Sequence, residues 1–202
     1  MNQNKIILSE FISLDGVMEG PGPVDAFEHA GWTIPFFNDD IAKYKLNELV
    51  AAGSLVLGRV TYKVFASTWP KMTDKVTGTQ TSLPGGFATR MNSIQKYVVS
   101  TTLKPEDVTW QNSTLISSHV IEEIKKLKTS TTGDLLLVGS GTLAQTLIQN
   151  DLIDEFRLLV YPIILGKGKR LFTSTGLTSL ELAGKQDFTN GVTALHYRLH
   201  EK

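Results

Sequence analysis

The stretch SLVLGRVTYKVF, residues 54–65, joins a short apolar run to a Gly-Arg step and then to a helical pattern. The apolar run ends at Gly58 and predicts a buried strand. Apolar residues at helical spacing predict a helix over residues 60–69, and Pro70 ends it. A strand followed at once by a helix is the repeating unit of α/β proteins.

The rest of the chain continues this alternation. Further strands are predicted over residues 5–14, 97–100 and 135–139, helices over residues 39–52, after His119 and around residues 143–150, and a loop over residues 72–86. Asn38 is the predicted N-cap of the first of these helices. Three consecutive strands follow, over residues 153–165, 180–188 and 192–200. We therefore expect one α/β domain spanning residues 1–202. Its sheet would be mixed and mostly parallel, with helices on both faces and an antiparallel C-terminal end.

Composition narrows the possible functions. Twenty basic and twenty acidic residues cancel in this chain of 202 residues, so we expect neither nucleic-acid binding nor attachment to an anionic membrane. The absence of cysteine excludes disulfides, thiolate zinc sites and thiol nucleophiles. The four histidines show no metal-ligand spacing, and we expect no metal. No run reaches the roughly 18 apolar residues of a membrane span. These features favour a soluble cytoplasmic protein.

Gly58, Arg59 and Thr61 lie at the junction between the predicted strand that ends at Gly58 and the helix that follows it. A helix that begins at Arg59 offers free backbone N–H groups and the positive end of its dipole, which suit a phosphate. Glycine lets a ligand approach the backbone, Arg59 adds a fork of donors, and Thr61 adds a hydroxyl. The alternative is a strand-ending glycine followed by a solvated arginine and a capping threonine.

Two other predicted strands end in a similar way. In LLLVGSGTLAQTL, residues 135–147, a strand runs into a small-residue turn that comprises Gly139, Ser140, Gly141 and Thr142. In YVVSTTLKP, residues 97–105, Ser100 and Thr101 follow a buried strand. A common tight turn is the alternative for the first stretch, and solvated loop residues explain the second equally well. Together, three such strand ends can line one edge of a parallel sheet, where α/β proteins bind nucleotides.

Five short stretches carry a resemblance to a known family. They are SLDG (13–16), LGRVTY (57–62), VVSTTL (98–103), VGSGTL (138–143) and IDEFRLLVYPIILGKGKRLF (153–172). In this order they resemble the dihydrofolate reductase superfamily, and specifically the C-terminal reductase domain of bacterial riboflavin-biosynthesis deaminase-reductases and its stand-alone relatives. The resemblance spans nearly the whole chain.

The resemblance implies a homodimer and a sheet of about eight strands that binds NADPH. By matching motif, Arg59 and Thr61 would contact the 2′-phosphate and pyrophosphate of the cofactor, and Ser100 with Thr101 the adenosine ribose side. Residues 139–142 would cradle the pyrophosphate. The family commonly has adjacent glycines in this last turn, whereas here Ser140 stands between two glycines.

Three residues are candidates for the substrate side of such a site. The resemblance places Asp15 beside the nicotinamide, where its carboxylate could bind ring N–H groups or act catalytically by delivering a proton to a C=N nitrogen. An Asp-Gly turn is the alternative. Trp32, in a loop rich in aromatic residues, could stack on a flat heterocycle or cover a core edge. Lys167 could receive a substrate phosphate or belong to a solvated basic loop.

These residues and the resemblance together predict an NADPH-dependent reductase of a small heterocyclic substrate. The named candidate reaction is the reduction of 5-amino-6-(5-phosphoribosylamino)uracil in riboflavin biosynthesis. A dihydrofolate or pteridine reductase is the first alternative. A sensor or binding module that holds NADP without turnover is the second, because a fold alone does not fix a function.

Overall fold

A computed structural model describes residues 3–23, 26–74, 86–173 and 176–199. Within these ranges there are eight strands: β1 (Ile6–Ser13), β2 (Ser54–Gly58), β3 (Gln95–Val99), β4 (Ser113–Ile116), β5 (Leu135–Val138), β6 (Glu155–Tyr161), β7 (Leu180–Asp187) and β8 (Thr193–Leu199). They form one sheet in the order β4-β3-β2-β5-β1-β6-β8-β7. The α/β fold predicted from the sequence is confirmed, with a mostly parallel sheet and antiparallel strands at its C-terminal end.

Five α-helices occur in the same described ranges. They are α1 (Asp39–Ala51), α2 (Arg59–Thr68), α3 (Phe87–Ser93), α4 (Val120–Ser130) and α5 (Gly141–Gln149). The predicted N-cap of α1 is confirmed, because the Asn38 side chain accepts a hydrogen bond from the Ile41 N–H. No helix in the part of the chain that the structure describes combines the length and the apolar composition needed to cross a membrane.

The prediction and the structure differ in two places, and a third prediction is not tested. β4 has no counterpart among the strands predicted from the sequence, because it is four residues long and only Ile116 in it is buried. β6 ends at Tyr161, before Pro162, rather than at residue 165, because proline cannot donate to a strand ladder. Most of the loop predicted over residues 72–86 lies outside the described residues.

The chain divides into two compact units, of residues 1–5 with 38–140 and of residues 6–37 with 141–202. The expectation of a single domain stays a prediction. In the first unit, β2 pairs in parallel with β3 on one side and with β5 on the other. All five residues of β2 are buried, as is typical of a central parallel strand.

The first unit also holds a fully buried lysine. The Lys96 ammonium donates to the backbone carbonyls of Asn92 (3.2 Å), Ile94 (2.7 Å) and Gln111 (3.1 Å). It also lies 4.3 Å from the centroid of the Trp110 ring. Burial lowers the pKa of Lys96 to about 8. The lysine thus supplies donors to carbonyls at the end of α3 and in the chain before β4.

In the second unit, β1 pairs in parallel with β6, and β8 lies antiparallel between β6 and β7. The register of β7 on β8 is irregular between Leu182 and Gly184. Most residues of β7 are exposed, and Lys185 forms an ion pair with Asp187 at 2.8 Å. β7 is therefore an edge strand that pairs only with β8 and leaves most of its residues exposed.

We expect Lys96→Met to lower the free energy of unfolding by about 1–3 kcal/mol, because methionine fills the space but leaves buried carbonyls without a donor. Urea denaturation at pH 7 measures the change. The matched control is Lys125→Met on the exposed surface of α4, which should shift the free energy by less than about 0.5 kcal/mol. Equal effects of the two substitutions would contradict a structural role for the Lys96 ammonium.

Candidate functional site

The carboxyl ends of three parallel strands lie at one edge of the first unit. β2 pairs in parallel with β3 and β5, and the register aligns Val56 with Leu137. The turn that follows β5 therefore lies beside the end of β2. The structure brings together the strand ends at Gly58, Ser100 and Gly139 that the sequence singles out.

A chain of hydrogen bonds links two of these strand ends. The Gly58 N–H donates to the Ser140 hydroxyl oxygen at 2.7 Å, and the Ser140 hydroxyl donates to the Thr61 hydroxyl oxygen at 2.7 Å. Gly139 lies tightly against the same threonine, since a Cβ at position 139 would be 2.9 Å from its Oγ1. Gly58, Arg59, Thr61, Gly139 and Ser140 are called the strand-end cluster below.

Arg59 is the first residue of α2 and is exposed. Among the residues that the structure describes, its side chain has no ion-pair or hydrogen-bond partner. The first turn of α2 reads Arg-Val-Thr-Tyr, so no acidic side chain competes there for an anion. An unpaired guanidinium beside free helix N–H groups can bind a phosphate group.

Ser100 and Thr101 differ in how far they are free to bind a ligand. Ser100 is buried, and its hydroxyl oxygen accepts the backbone N–H groups of Thr102 (3.2 Å) and Leu103 (3.0 Å). Thr101 is exposed. Ser100 therefore shapes the turn after β3, and Thr101 presents a hydroxyl to solvent. Contacts of either residue with a ribose stay a prediction.

Gly141 and Thr142 begin α5 and belong to the second unit. A Cβ at Gly141 would lie 3.0 Å from the Met18 sulfur, so the helix start packs closely there. Thr142 is exposed, and the first turn of α5 contains no acidic residue. This helix start is thus open to an anion in the same chemical sense as the start of α2.

The strand-end cluster fits the phosphates of a dinucleotide by its donor chemistry. Phosphate oxygens only accept hydrogen bonds, and the cluster presents a guanidinium, the Thr61 hydroxyl and the first N–H groups of α2. Its residues contain no carboxylate. Contacts of Arg59 with a 2′-phosphate, and of Thr61, Gly139 and Ser140 with a pyrophosphate, stay predictions.

Asp15 is at the centre of a hydrogen-bond network in the second unit. Its carboxylate accepts from the Ser13 hydroxyl (2.7 Å), the N–H groups of Leu165 (3.1 Å) and Gly166 (3.0 Å), and the Arg170 guanidinium (3.3 Å). The Ser13 hydroxyl, followed by the Leu165 N–H, lowers the pKa of Asp15 to about 2. The group is therefore a carboxylate at neutral pH, and it ties the end of β1 to residues 165–170.

The basic residues of this loop are each paired with an acid. Lys169 forms an ion pair with Glu19 at 2.9 Å, and Lys167 forms one with Glu28. Hydrogen bonding to these lysines lowers the pKa of Glu19 and of Glu28. A substrate phosphate would have to compete with Glu28 for Lys167, and its binding there stays a prediction.

Trp32 is buried rather than open to a ligand. Its side chain is part of the core, its indole N–H donates to the Glu19 carbonyl at 2.8 Å, and its ring lies edge-on to Tyr161 at 5.2 Å. Phe37, by contrast, is 53% exposed. Stacking of a heterocycle on Trp32 stays a prediction and requires the covering chain to move.

Sequence reasoning missed Tyr161, which takes part in this aromatic packing. It aligns with Ser13 in the β1–β6 register, and its buried hydroxyl has no hydrogen-bond partner among the described residues. Burial raises the pKa of Tyr161. The signal in the sequence was a single tyrosine before Pro162, which an apolar strand pattern does not distinguish from a core residue.

Similarity to known proteins extends along nearly the whole chain. The family model described as RibD C-terminal domain matches residues 4–194. The uncharacterized protein YyaP of Bacillus subtilis (strain 168) is 30% identical over 199 residues, which cover 98% of this chain and 96% of YyaP. YwjB of the same organism, also uncharacterized, is 26% identical over 200 residues, covering 96% of this chain and 98% of YwjB.

Two solved structures share the fold. One is named as a riboflavin biosynthesis protein of Shewanella sp. PV-4. It has a TM-score of 0.62 and 18% sequence identity, and the match covers 98% of this chain and 99% of the Shewanella chain. The other, a pyrimidine reductase-like protein from Corynebacterium diphtheriae, has a TM-score of 0.63 and 14% identity. That match covers 100% of this chain and 94% of the other.

We expect Asp15→Asn to lower the free energy of unfolding at neutral pH, because an amide oxygen cannot accept from all four donors. Folding lowers the pKa of Asp15 from 3.8 to about 2. Its stabilising contribution is therefore complete above the unfolded pKa and is lost as the pH falls through the folded one. Urea denaturation of both proteins between pH 7 and pH 2 should show curves that converge at the acid end.

The matched control for this pH series is Asp151→Asn. Asp151 is exposed and has a left-handed backbone with φ of 52°, which asparagine also tolerates. Its stability difference from wild type should stay small at every pH. A difference for Asp15→Asn that is as large at pH 2 as at pH 7 would show that the ionised carboxyl is not the stabilising form.

Proposed function

This chain belongs to the RibD C-terminal domain family, and from that premise we propose that it is an NADPH-dependent reductase of a small nitrogen heterocycle. The observation that carries the proposal is the strand-end cluster, in which Ser140 joins the end of β2 to the turn after β5. The cluster contains no carboxylate, and its member Arg59 has no partner among the described residues. Such a surface suits the ionised phosphates of a dinucleotide.

In the proposed complex each phosphate has its own donors. Arg59 binds the 2′-phosphate, because its planar fork suits a doubly charged group and it has no competing acid in the first turn of α2. The turn of Gly139 and Ser140, together with Thr61, binds the pyrophosphate. Thr101, with Ser100 shaping its turn, lies on the adenosine ribose side.

The proposed substrate is a ribosylaminopyrimidine phosphate, as in riboflavin biosynthesis. The family match supports it, as do the names of the two structural relatives, which refer to riboflavin biosynthesis and to a pyrimidine reductase. When bound, NADPH would supply a hydride to the C=N or masked-aldehyde carbon of this substrate. This chain's residues would hold the substrate in place and keep water from the reacting carbon.

Asp15 acts in this proposal as an acceptor and not as a proton donor. The Ser13 hydroxyl and the Leu165 N–H lower the pKa of Asp15 to about 2, so the group is a carboxylate at pH 7. The longest of its four contacts is with Arg170, at 3.3 Å, and a substrate N–H can replace that one. The proton for the substrate nitrogen then comes from water.

Two alternatives give different results in a turnover assay. A dihydrofolate or pteridine reductase would oxidise NADPH with those substrates and not with the pyrimidine. A sensor or binding module would bind NADPH and oxidise it with none of them. The homodimer and the cytoplasmic location stay predictions, and light scattering of the purified protein tests the first.

We expect wild-type protein to bind NADPH more tightly than NADH, and Arg59→Ala to weaken NADPH binding by about tenfold to a hundredfold, because a charge-assisted contact is lost. NADH binding should change far less. Isothermal titration with each nucleotide measures both. Lys63→Ala, which removes an exposed cation one turn further along α2, is the control and should leave both affinities unchanged.

Equal losses of NADPH and NADH affinity in Arg59→Ala would remove Arg59 from 2′-phosphate recognition. Thermal unfolding provides an independent check of binding, because a ligand at about 100 times its Kd stabilises the folded state by about 2.7 kcal/mol. No binding of either nucleotide to wild type would contradict the proposed function.

We further expect NADPH to be oxidised when 5-amino-6-(5-phosphoribosylamino)uracil is added, and not when dihydrofolate is added. The loss of NADPH absorbance measures the reaction, and the reduced ribitylamino product should appear in equal amount. Enzyme without substrate is the blank. Oxidation of NADPH with dihydrofolate and not with the pyrimidine would favour a dihydrofolate reductase. Binding of NADPH without its oxidation by either substrate would favour the binding module.

A further inference from the structure

Ser140 has an unusual backbone for a residue with a side chain. Its φ is 70°, directly after Gly139 with φ of 62°, so both residues are in the left-handed region. Glycine adopts this region freely, whereas a residue with a Cβ is disfavoured there. A serine in this turn must therefore contribute through its hydroxyl, since a second glycine would satisfy the backbone with less strain.

The Ser140 hydroxyl accepts one hydrogen bond and donates another. Its oxygen accepts the Gly58 N–H, and its single proton is donated to Thr61 Oγ1, both at 2.7 Å. Thr61 Oγ1 is thus an acceptor toward Ser140, and its own proton must point elsewhere. Among the described residues no acceptor takes that proton. Thr61 is third in α2, where helix N–H groups also lack intrahelical partners.

We propose that Ser140 is a positioning residue that fixes the Thr61 hydroxyl with its proton directed at a pyrophosphate oxygen of the bound dinucleotide. The inference rests on the proposed function, since it assigns a role within the same site. The Ser140 hydroxyl acts through Thr61 and does not itself donate to the ligand. The relay Gly58 N–H to Ser140 to Thr61 aligns three donors in one direction, and each bond polarises the next.

In this proposal Ser140 and Arg59 act on different groups of the dinucleotide. NADPH and NADH share the pyrophosphate and differ at the 2′-phosphate. Removal of the Ser140 hydroxyl should therefore weaken both nucleotides by the same factor, whereas Arg59→Ala weakens mainly NADPH. With alanine or glycine at position 140, the Thr61 hydroxyl loses its fixed donor and can rotate.

The test is a double-mutant cycle with NADPH and NADH as probes. Isothermal titration would compare wild type, Ser140→Ala, Thr61→Val and the double variant. We expect each single variant to raise both dissociation constants by about threefold to tenfold, the range for one neutral hydrogen bond. The double variant should bind no more weakly than Thr61→Val, because Ser140 has nothing left to position. Additive losses would overturn the inference.

Ser140→Gly distinguishes positioning from structural support. It removes the left-handed strain together with the hydroxyl, so its melting temperature should equal or exceed that of Ser140→Ala. Its affinity for both nucleotides should nevertheless be as low as that of Ser140→Ala. Wild-type affinity in Ser140→Gly would overturn the inference. Thr68→Val, which removes a hydroxyl bonded to the Val64 carbonyl at the far end of α2, is the control with unchanged affinity.

The two proposals fail in different ways. If wild type binds neither nucleotide, the proposed function is overturned and the role of Ser140 with it. If wild type binds NADPH and Arg59→Ala behaves as expected, but the cycle is additive, only the role of Ser140 is overturned.

Discussion

The pairing of β2 with a parallel strand on both of its sides is the constraint on which the candidate site depends. Parallel neighbours place the turns that follow them at one edge, where backbone groups at the end of each strand need partners outside the ladder. Gly58 finds its partner in the Ser140 hydroxyl. That bond fixes the point at which α2 begins, and hence where Arg59 and Thr61 lie.

Elements whose apolar pattern coincides with burial could be predicted from the sequence. β2 is buried at every position, and Asn38 marks the start of α1 by a local side-chain bond. β4 could not be predicted in this way, because an edge strand with one buried residue owes its conformation to pairing with β3 rather than to its own composition. Pairing partners are a non-local property that no sequence window contains.

The same distinction between local and non-local properties applies to the candidate site. Residue types and turn signals identified the strand-end cluster, because the turns are local. The partners of Asp15 could not be predicted: two of its donors, the N–H groups of Leu165 and Gly166, are 150 and 151 residues away along the chain. Trp32 is likewise committed to the core. A sequence shows which side chains are chemically able to bind a ligand, and the fold decides which are already engaged.

β7 lies at one edge of the sheet, and its hydrogen-bond ladder with β8 is interrupted. The outer side of an edge strand presents free backbone donors and acceptors, on which a strand from another molecule can assemble. Between Leu182 and Gly184 the spacing of these groups is irregular, and Lys185 and Asp187 add charge to the same stretch. An incoming strand therefore cannot pair along the whole edge without a matching bulge of its own. The irregular register and these charges thus disfavour growth of the sheet at its β7 edge, independent of whatever the site binds.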